Sequence, residues 1–244
     1  MASKHAWKVN LIPWDYKSEE HVNRLYDQRV ACGWRSEEVA SYAKEGEKGG
    51  KVFYWIVCGL YVLSEEHPER EALLAKHLAR YPKETSPIRD TADKVRLLPR
   101  TPREIDFIPI GHVALNIHPP DEDEKLGLPR SGVTWLQQLY VSYALQKGGL
   151  GVAAMANAER VATMEPYNAS LMVLDTLVKE VQTSEAIRKA MYDDRGLPFP
   201  LVSNEEWYLG LGYDVHARTT EGYVYKHPGG SIVLEVVFLK KILR

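Results

Sequence analysis

Apolar positions along the chain change period several times, and each change predicts an element. Trp7 to Ile12 alternates as a first strand does, and Pro13 ends it. Ser18-Glu19-Glu20 then offers a hydroxyl cap followed by acids, and Val22, Leu25, Tyr26 and Val30 recur at helical spacing to Ala31. Gly33 breaks that pattern. Ser36-Glu37-Glu38-Val39 repeats the opening and predicts a short second helix ending near Gly46, before the Gly49-Gly50 turn. Lys51–Val62 is aromatic and β-branched, a buried strand whose apolar part is too short to cross a bilayer.

Glu65 to Tyr81 predicts a helix with Leu73, Leu74, His77 and Leu78 on one face, and Pro82, Pro87, Pro99 and Pro102 make the next stretch irregular. Phe107–Ile117 and Val133–Val141 read as paired antiparallel strands. The polar loop Pro119–Gly132 joins them, and its Asp121-Glu122-Asp123-Glu124 run is expected to be solvated, without the ligand order of a calcium loop. A helix follows at Val152–Thr163, with Ala153, Ala154, Ala156 and Ala158 small enough for close packing. Leu171–Leu174 is a strand, Ser184–Met191 and Asn204–Leu211 are helices, and Tyr223–Lys226 and Ile232–Leu239 are closing strands. The sum is a single α/β domain without repeats.

With 244 residues, 45% of them hydrophobic, the chain can bury one large core. Its 31 basic and 33 acidic residues leave a formal charge of −2, so the balance points to neither nucleic acid nor membrane as a partner. Cys32 and Cys58 lack C-x-x-C spacing and read as buried structural thiols in a reducing compartment. No apolar run near Met1 resembles a secretory signal, so the cytoplasm is the expected location.

The chemistry concentrates after Val133–Val141. Leu139-Tyr140-Val141-Ser142-Tyr143-Ala144-Leu145-Gln146-Lys147-Gly148-Gly149-Leu150-Gly151 runs from a strand through a glycine-rich turn into a helix. Such a turn gathers backbone N–H groups and a positive helix end where a pyrophosphate can sit. A Walker A loop is excluded, because Gly151-Val152-Ala153 supplies neither the lysine nor the hydroxyl. Gly149-Leu150-Gly151-Val152-Ala153-Ala154 fits the dinucleotide pattern G-x-G-x-x-A, with Asp175 roughly 20 residues on. Gln146-Lys147-Gly148-Gly149-Leu150-Gly151 equally fits the acyl-CoA loop Gln/Arg-x-x-Gly-x-Gly/Ala. On the loop alone both stand.

Context separates them. Val141 lies five residues before Gln146, Trp207-Tyr208-Leu209-Gly210-Leu211-Gly212-Tyr213 follows in order, and Ile110-Gly111-His112-Val113-Ala114-Leu115 precedes. Together these resemble the GCN5-related N-acetyltransferases (GNATs), whose second motif is Tyr-x-x-x-Gly-Phe, here with Tyr213 for Phe. A dinucleotide fold instead needs several further β-α-β units, and only about 70 residues remain downstream.

The resemblance implies an α/β GNAT fold: a mixed, mostly antiparallel central sheet flanked by helices and splayed between its two central strands. It would occupy 1–244 as one domain with an insertion at about 64–106. It implies acetyl-CoA as cosubstrate, with the pantetheine arm along Leu139, Tyr140 and Val141 and the pyrophosphate on Gln146, Lys147, Gly148, Gly149, Leu150, Gly151 and Val152. Tyr208 matches the tyrosine that protonates the departing sulfur. Where some members have a glutamate base, this chain has Trp135, Gln137 and Gln138; His112 and Asp175 are the remaining base candidates. The acceptor would enter beside Tyr26, Trp34 and Tyr42 on one side and His216, Tyr223 and Tyr225 on the other, an aromatic lining suited to a small amine. No metal is implied, and the expected state is a monomer or homodimer. The other class to weigh is a GNAT-fold sensor or scaffold that binds an acyl-CoA without turning it over; Gln137, Gln138 and Trp135 favour it, and Tyr208 speaks against it.

Overall fold

A computed structural model describes residues 9–58, 69–227 and 230–243. In chain order these form β1 (Val9–Pro13), α1 (Glu19–Cys32), a 3-10 turn (Ser36–Glu38), α2 (Val39–Glu47), β2 (Lys51–Cys58), α3 (Arg70–Arg80) and β3 (Gly111–Asn116). Next come α4 (Pro120–Lys125), β4 (Val133–Val141), α5 (Leu150–Thr163), β5 (Leu171–Leu177), α6 (Lys179–Gln182) and α7 (Glu185–Met191). Last are α8 (Asn204–Gly210), β6 (Asp214–His227) and β7 (Gly230–Ile242). Trp7, the 59–62 end of the strand predicted at Lys51–Val62, and the 65–68 start of the predicted helix lie outside the described residues.

The strands hydrogen-bond in the order β1-β2-β3-β4-β5-β7-β6, with β1/β2, β2/β3, β5/β7 and β7/β6 antiparallel and β4/β5 parallel. This is the mixed, mostly antiparallel sheet expected. The chain divides into two compact units.

The first unit comprises the residues up to His118 together with Leu136–Asn168. Its helix α1 starts where the sequence puts it: the Ser18 hydroxyl accepts from His21 N, acids fill the first turn, and the Gly33 N–H closes the end on Arg29 O. β2 is buried along its whole length, and beyond Lys51 at its head both faces are apolar rather than alternating. Ile12, Trp14, Leu25, Val39, Tyr42, Phe53, Trp55 and Val57 make the core between the α1 and α2 side and the sheet. At Gly111 the neighbouring strand comes so close that a Cβ would sit 2.1 Å from the Tyr140 carbonyl oxygen, and only glycine fits there.

The stretch 69–106 belongs to this unit and turns three polar side chains, His77, Glu84 and Asp90, inward. Glu84 and His77 are buried, and Gln28 of α1 donates from Nε2 to Glu84 Oε2 at 2.8 Å. Arg24 of α1 donates to Ser86 O at 2.6 Å, and His21 Nε2 lies 2.7 Å from Arg89 O. The irregular second half holds two short two-residue ladders, Ile88–Arg89 with Asp106–Phe107 and Lys94–Val95 with Leu98–Pro99. Its carboxylate Asp90, wholly buried, takes a two-point contact from Arg100.

The second unit comprises Pro119–Trp135 and the chain from Ala169. Here Val133–Trp135 of β4 pair with Leu171–Val173 of β5, a register of three positions in strands of nine and seven residues. Leu128, Val133, Trp135 and Val173 form one of its buried apolar clusters, with Phe238 edge-on to Trp135.

Three expectations change. The loop 119–132 contains helix α4, opened by Pro120 at its first position with acids in the first turn. Its acidic run is therefore not solvated throughout: Asp123 is buried and accepts from Trp135 Nε1 at 2.8 Å. The closing strands extend to 214–227 and 230–242, well beyond 223–226 and 232–239. Cys58 is buried as expected, but Cys32, at the C-terminal end of α1, is only half-buried; neither forms a disulfide among the described residues.

Candidate active site

The glycine-rich segment of the first unit is an exposed turn that delivers a long helix. Ser142 N donates to Ile110 O at 2.8 Å, Leu145 N to Ser142 O, and the Gln146 amide reaches back to Val141 O at 3.3 Å, so Gln146 staples the turn closed. Lys147 and Gly149 both take left-handed backbone, φ 69 and 88, which only the glycine adopts without strain. Gly149 stands just before the 14-residue α5, and Ala153 N donates the first bond of the helix to Gly149 O at 3.0 Å. The N–H groups of Leu150, Gly151 and Val152 precede that bond and have no side-chain cap. Gln146, Lys147, Gly148, Gly149 and Val152 are exposed, Gly151 is half-buried and Leu150 is anchored in the core. Three donors at a positive helix end, open to solvent, suit a diphosphate.

Upstream, β4 is not regular. Gln138 has φ 47 within the strand, a left-handed position for a residue with a full side chain. Leu139 beyond it is half-buried, whereas Tyr140 and Val141 are buried. The Tyr140 hydroxyl meets the Tyr81 hydroxyl of the insertion at 3.2 Å, and burial pushes its pKa far up.

His112 is wholly buried between Phe53, Trp55 and Tyr140. Its Nδ1 lies 2.9 Å from Gln28 Oε1, and its Nε2 has no partner. Burial, aided by the Arg29 charge, drives its pKa well below the ordinary value, so the ring is neutral. Gln28 extends that contact to Glu84, Glu84 approaches His77 Nε2 at 3.4 Å, and His77 Nδ1 lies 2.9 Å from Ser142 Oγ. A buried polar chain thus runs from His112 through the insertion to the first residue of the turn.

Another buried group went unseen in the sequence. Lys51, 4% exposed, donates to Gln137 Oε1 at 3.1 Å and to Gln138 Oε1 at 3.3 Å, and stands 3.8 Å from the half-exposed Glu45 carboxylate. Burial pushes its pKa down to about 8. A lysine heading an otherwise apolar strand, Lys51-Val52-Phe53-Tyr54-Trp55-Ile56-Val57-Cys58, is the signal that could have found it.

In the second unit, the Ser203–Glu206 capping box starts α8 and fixes Tyr208 one turn in. Tyr208 is buried against Trp207 and Tyr213, and burial together with the Asp175 charge raises its pKa, so it holds its proton. Asp175 on β5 is half-buried and accepts a short hydrogen bond from the Tyr223 hydroxyl. Of the aromatic residues expected beside the acceptor, Tyr42 donates to Glu38, Tyr225 to Ala190 O, and His216 Nε2 lies 2.7 Å from Leu126 O, while Tyr26 is half exposed. Among the described residues no group of three or more His, Cys, Asp or Glu side chains is placed to hold a metal ion, and no helix is long and apolar enough to cross a membrane.

No protein-family model matches the chain, and no curated protein sequence does. Solved structures do. Arabidopsis thaliana NAA60 in complex with acetyl-CoA aligns over 97% of this chain and 99% of its own at 12% identity, with a TM-score of 0.52. The same protein in complex with a bisubstrate analogue gives 97%, 100%, 13% and 0.53. A spermidine N-acetyltransferase SpeG chimera from Vibrio cholerae and hSSAT gives 97%, 96%, 8% and 0.51. At such identities the likeness concerns the fold: this chain has the fold of the GCN5-related N-acetyltransferases.

Proposed function

We propose that this chain is an acetyl-CoA-dependent N-acetyltransferase that transfers directly, in a ternary complex, to a primary amine of a small molecule. The observation that carries the reading is the turn after β4: an exposed segment with left-handed Lys147 and Gly149, opening a 14-residue helix whose first three N–H groups are unused. Its neighbours in fold support it, since one of them was solved with acetyl-CoA.

Acetyl-CoA, when bound, supplies an activated acetyl thioester. Leu150, Gly151 and Val152 would receive its diphosphate through backbone N–H, with Lys147 adding charge, and Leu139–Val141 would hold the pantetheine arm by main-chain bonds. Gln138, left-handed within the strand, is where we place the departure from a regular ladder that would leave main-chain groups for that task. We assign Tyr208 as the proton donor to the leaving sulfur, a group whose raised pKa keeps the proton on until transfer. Of the two base candidates, His112 is sealed in the core while Asp175 is half-buried, and Asp175 is the one solvent can reach.

Isothermal titration with acetyl-CoA, followed by a free-thiol release assay over an amine panel, tests the reading. Binding with thiol release supports it; binding with no release from any amine favours the silent acyl-CoA sensor; no binding removes both. Gly149→Trp should abolish binding, whereas Tyr208→Phe should leave affinity intact and lower kcat about 100-fold. Equal loss of affinity in both variants would contradict the assigned roles.

A further inference from the structure

A single ammonium holds two consecutive residues of β4. Lys51 Nζ, at the buried head of β2, donates to Gln137 Oε1 at 3.1 Å and to Gln138 Oε1 at 3.3 Å. In a regular strand, neighbours in sequence point to opposite faces of the sheet, so one donor does not reach both. Gln138 departs from that rule with φ 47, and both amides come to one ammonium. Gln137 is held a second time, because Asn116, opposite Lys51 in the β2/β3 register, donates to the same Oε1 at 2.6 Å. The ammonium is itself enclosed. Nζ lies 4.7 Å from the centroid of the Tyr42 ring and 5.8 Å from that of Phe53, and the Glu45 carboxylate stands 3.8 Å away.

Left-handed backbone crowds the Cβ of any residue but glycine, so Gln138 keeps it only while its surroundings hold it there. Released from Lys51, Gln138 would relax to extended backbone and its side chain would swing to the far face of the sheet. Hydrogen bonds from a charged donor are the strong kind, and two on adjacent residues make a clip. Burial disfavours the charged form of Lys51 even with Glu45 and Glu38 as counter-charges. A costly charge that holds a strained backbone is the combination expected of a working site. The place agrees. With the diphosphate on the turn after β4 and the pantetheine arm along Leu139–Val141, the arm runs back towards Gln138, and its acyl end meets the strand there.

We propose that Lys51 is a positioning residue for the acyl end of the cosubstrate: by clipping Gln137 and Gln138 together it keeps Gln138 left-handed and aims the main chain at Gln138 and Leu139 towards the thioester. Lys51 touches no reacting atom in this role; it acts through the shape of β4. The inference rests on the acetyl-CoA reading and adds to it the group that sets that shape.

Isothermal titration with acetyl-CoA compares wild type, Lys51→Met and the double variant Lys51→Met/Gln138→Gly, with circular dichroism checking each fold. Glycine takes left-handed backbone without a clip, so the second substitution restores the shape that the first loses. Lys51→Met should weaken binding about fivefold or more, the factor equivalent to the least strain of a left-handed residue other than glycine. The double variant should bind at least threefold more tightly than Lys51→Met, a recovery that a lysine serving only to fill space or supply charge would not show. CoA, which lacks the acetyl group, should be weakened less by Lys51→Met than acetyl-CoA is. A smaller loss in Lys51→Met, a smaller recovery in the double variant, or equal weakening of CoA and acetyl-CoA overturns the positioning role and leaves the acetyl-CoA reading standing, because wild type binds. No binding of acetyl-CoA to wild type overturns both. If Lys51→Met fails to fold, Gln138→Met, which strips one arm of the clip, is set against Gln138→Gly and judged by the same thresholds.

Discussion

Replacing Lys51 by methionine isolates the cost of a buried charge. The Lys51 pKa falls from the ordinary 10.5 to about 8, and the side chain is only 4% exposed, so solvent screening takes little away. At ~1.36 kcal/mol per pKa unit, holding the ammonium in place costs the fold about 3 kcal/mol. The sign follows from proton binding. Between pH 8 and 10.5 the unfolded chain keeps this proton while the folded chain gives it up, so stability rises with pH through that window and is level below it. Lys51→Met has no such group. Equilibrium urea unfolding of both proteins at intervals from pH 7 to 10.5 should show the wild type gaining about 3 kcal/mol on the variant, with most of the change above pH 8. Other titrations cancel in the difference, and the lost hydrogen bonds to Gln137 and Gln138 shift it by a constant. A difference that stays flat over this range refutes the burial of a charged Lys51.

Gly111→Ala places a Cβ against the Tyr140 carbonyl, a backbone atom that cannot move aside, and should cost about 3 kcal/mol or prevent folding; an unchanged melting temperature would contradict the strand approach. Trp135→Phe takes the indole donor from buried Asp123 and should lower stability by about 2 kcal/mol in urea unfolding, with recovery when Asp123→Asn is added. Glu84→Ala strips Gln28 Nε2 of its buried acceptor and leaves His77 facing a gap; a loss of about 2 kcal/mol is expected, and a loss below about 0.5 kcal/mol would mean that the chain from His112 to Ser142 is not a support.

Local signals are legible where the physics is local. Ser18 and Gly33 bound α1 because a cap and a left-handed stop act within a turn of themselves, and the turn at Gln146–Gly149 was legible for the same reason. Helix α4 is hidden although its start is conventional, proline followed by acids, because a run of four acids reads as surface charge as readily as a first turn. The inward side chains were beyond reach for another reason. Gln28 finds Glu84 across 56 positions and His77 finds Ser142 across 65, and no nearby pattern announces such a meeting. Lys51 is a similar case: a charged residue defaults to solvent unless the tertiary fold says otherwise. Of the candidate site, the glycine-rich turn is legible as a motif, while the polar support beneath it comes from residues 77–84, far away in sequence, and is not.

The same polar chain settles how far this protein can be pared down. An acetyltransferase fold with a long excursion between its second and third strands invites truncation to a minimal version, with a short hairpin in place of residues 64–106. Here the excision would leave Gln28 without Glu84, Ser142 without His77, Arg24 without the Ser86 carbonyl and His21 without that of Arg89, all sealed from water that could substitute. What looks like an appendage on the sequence is, for folding, an interior wall, and a shortened chain would have to refill that wall with apolar side chains before it could stand.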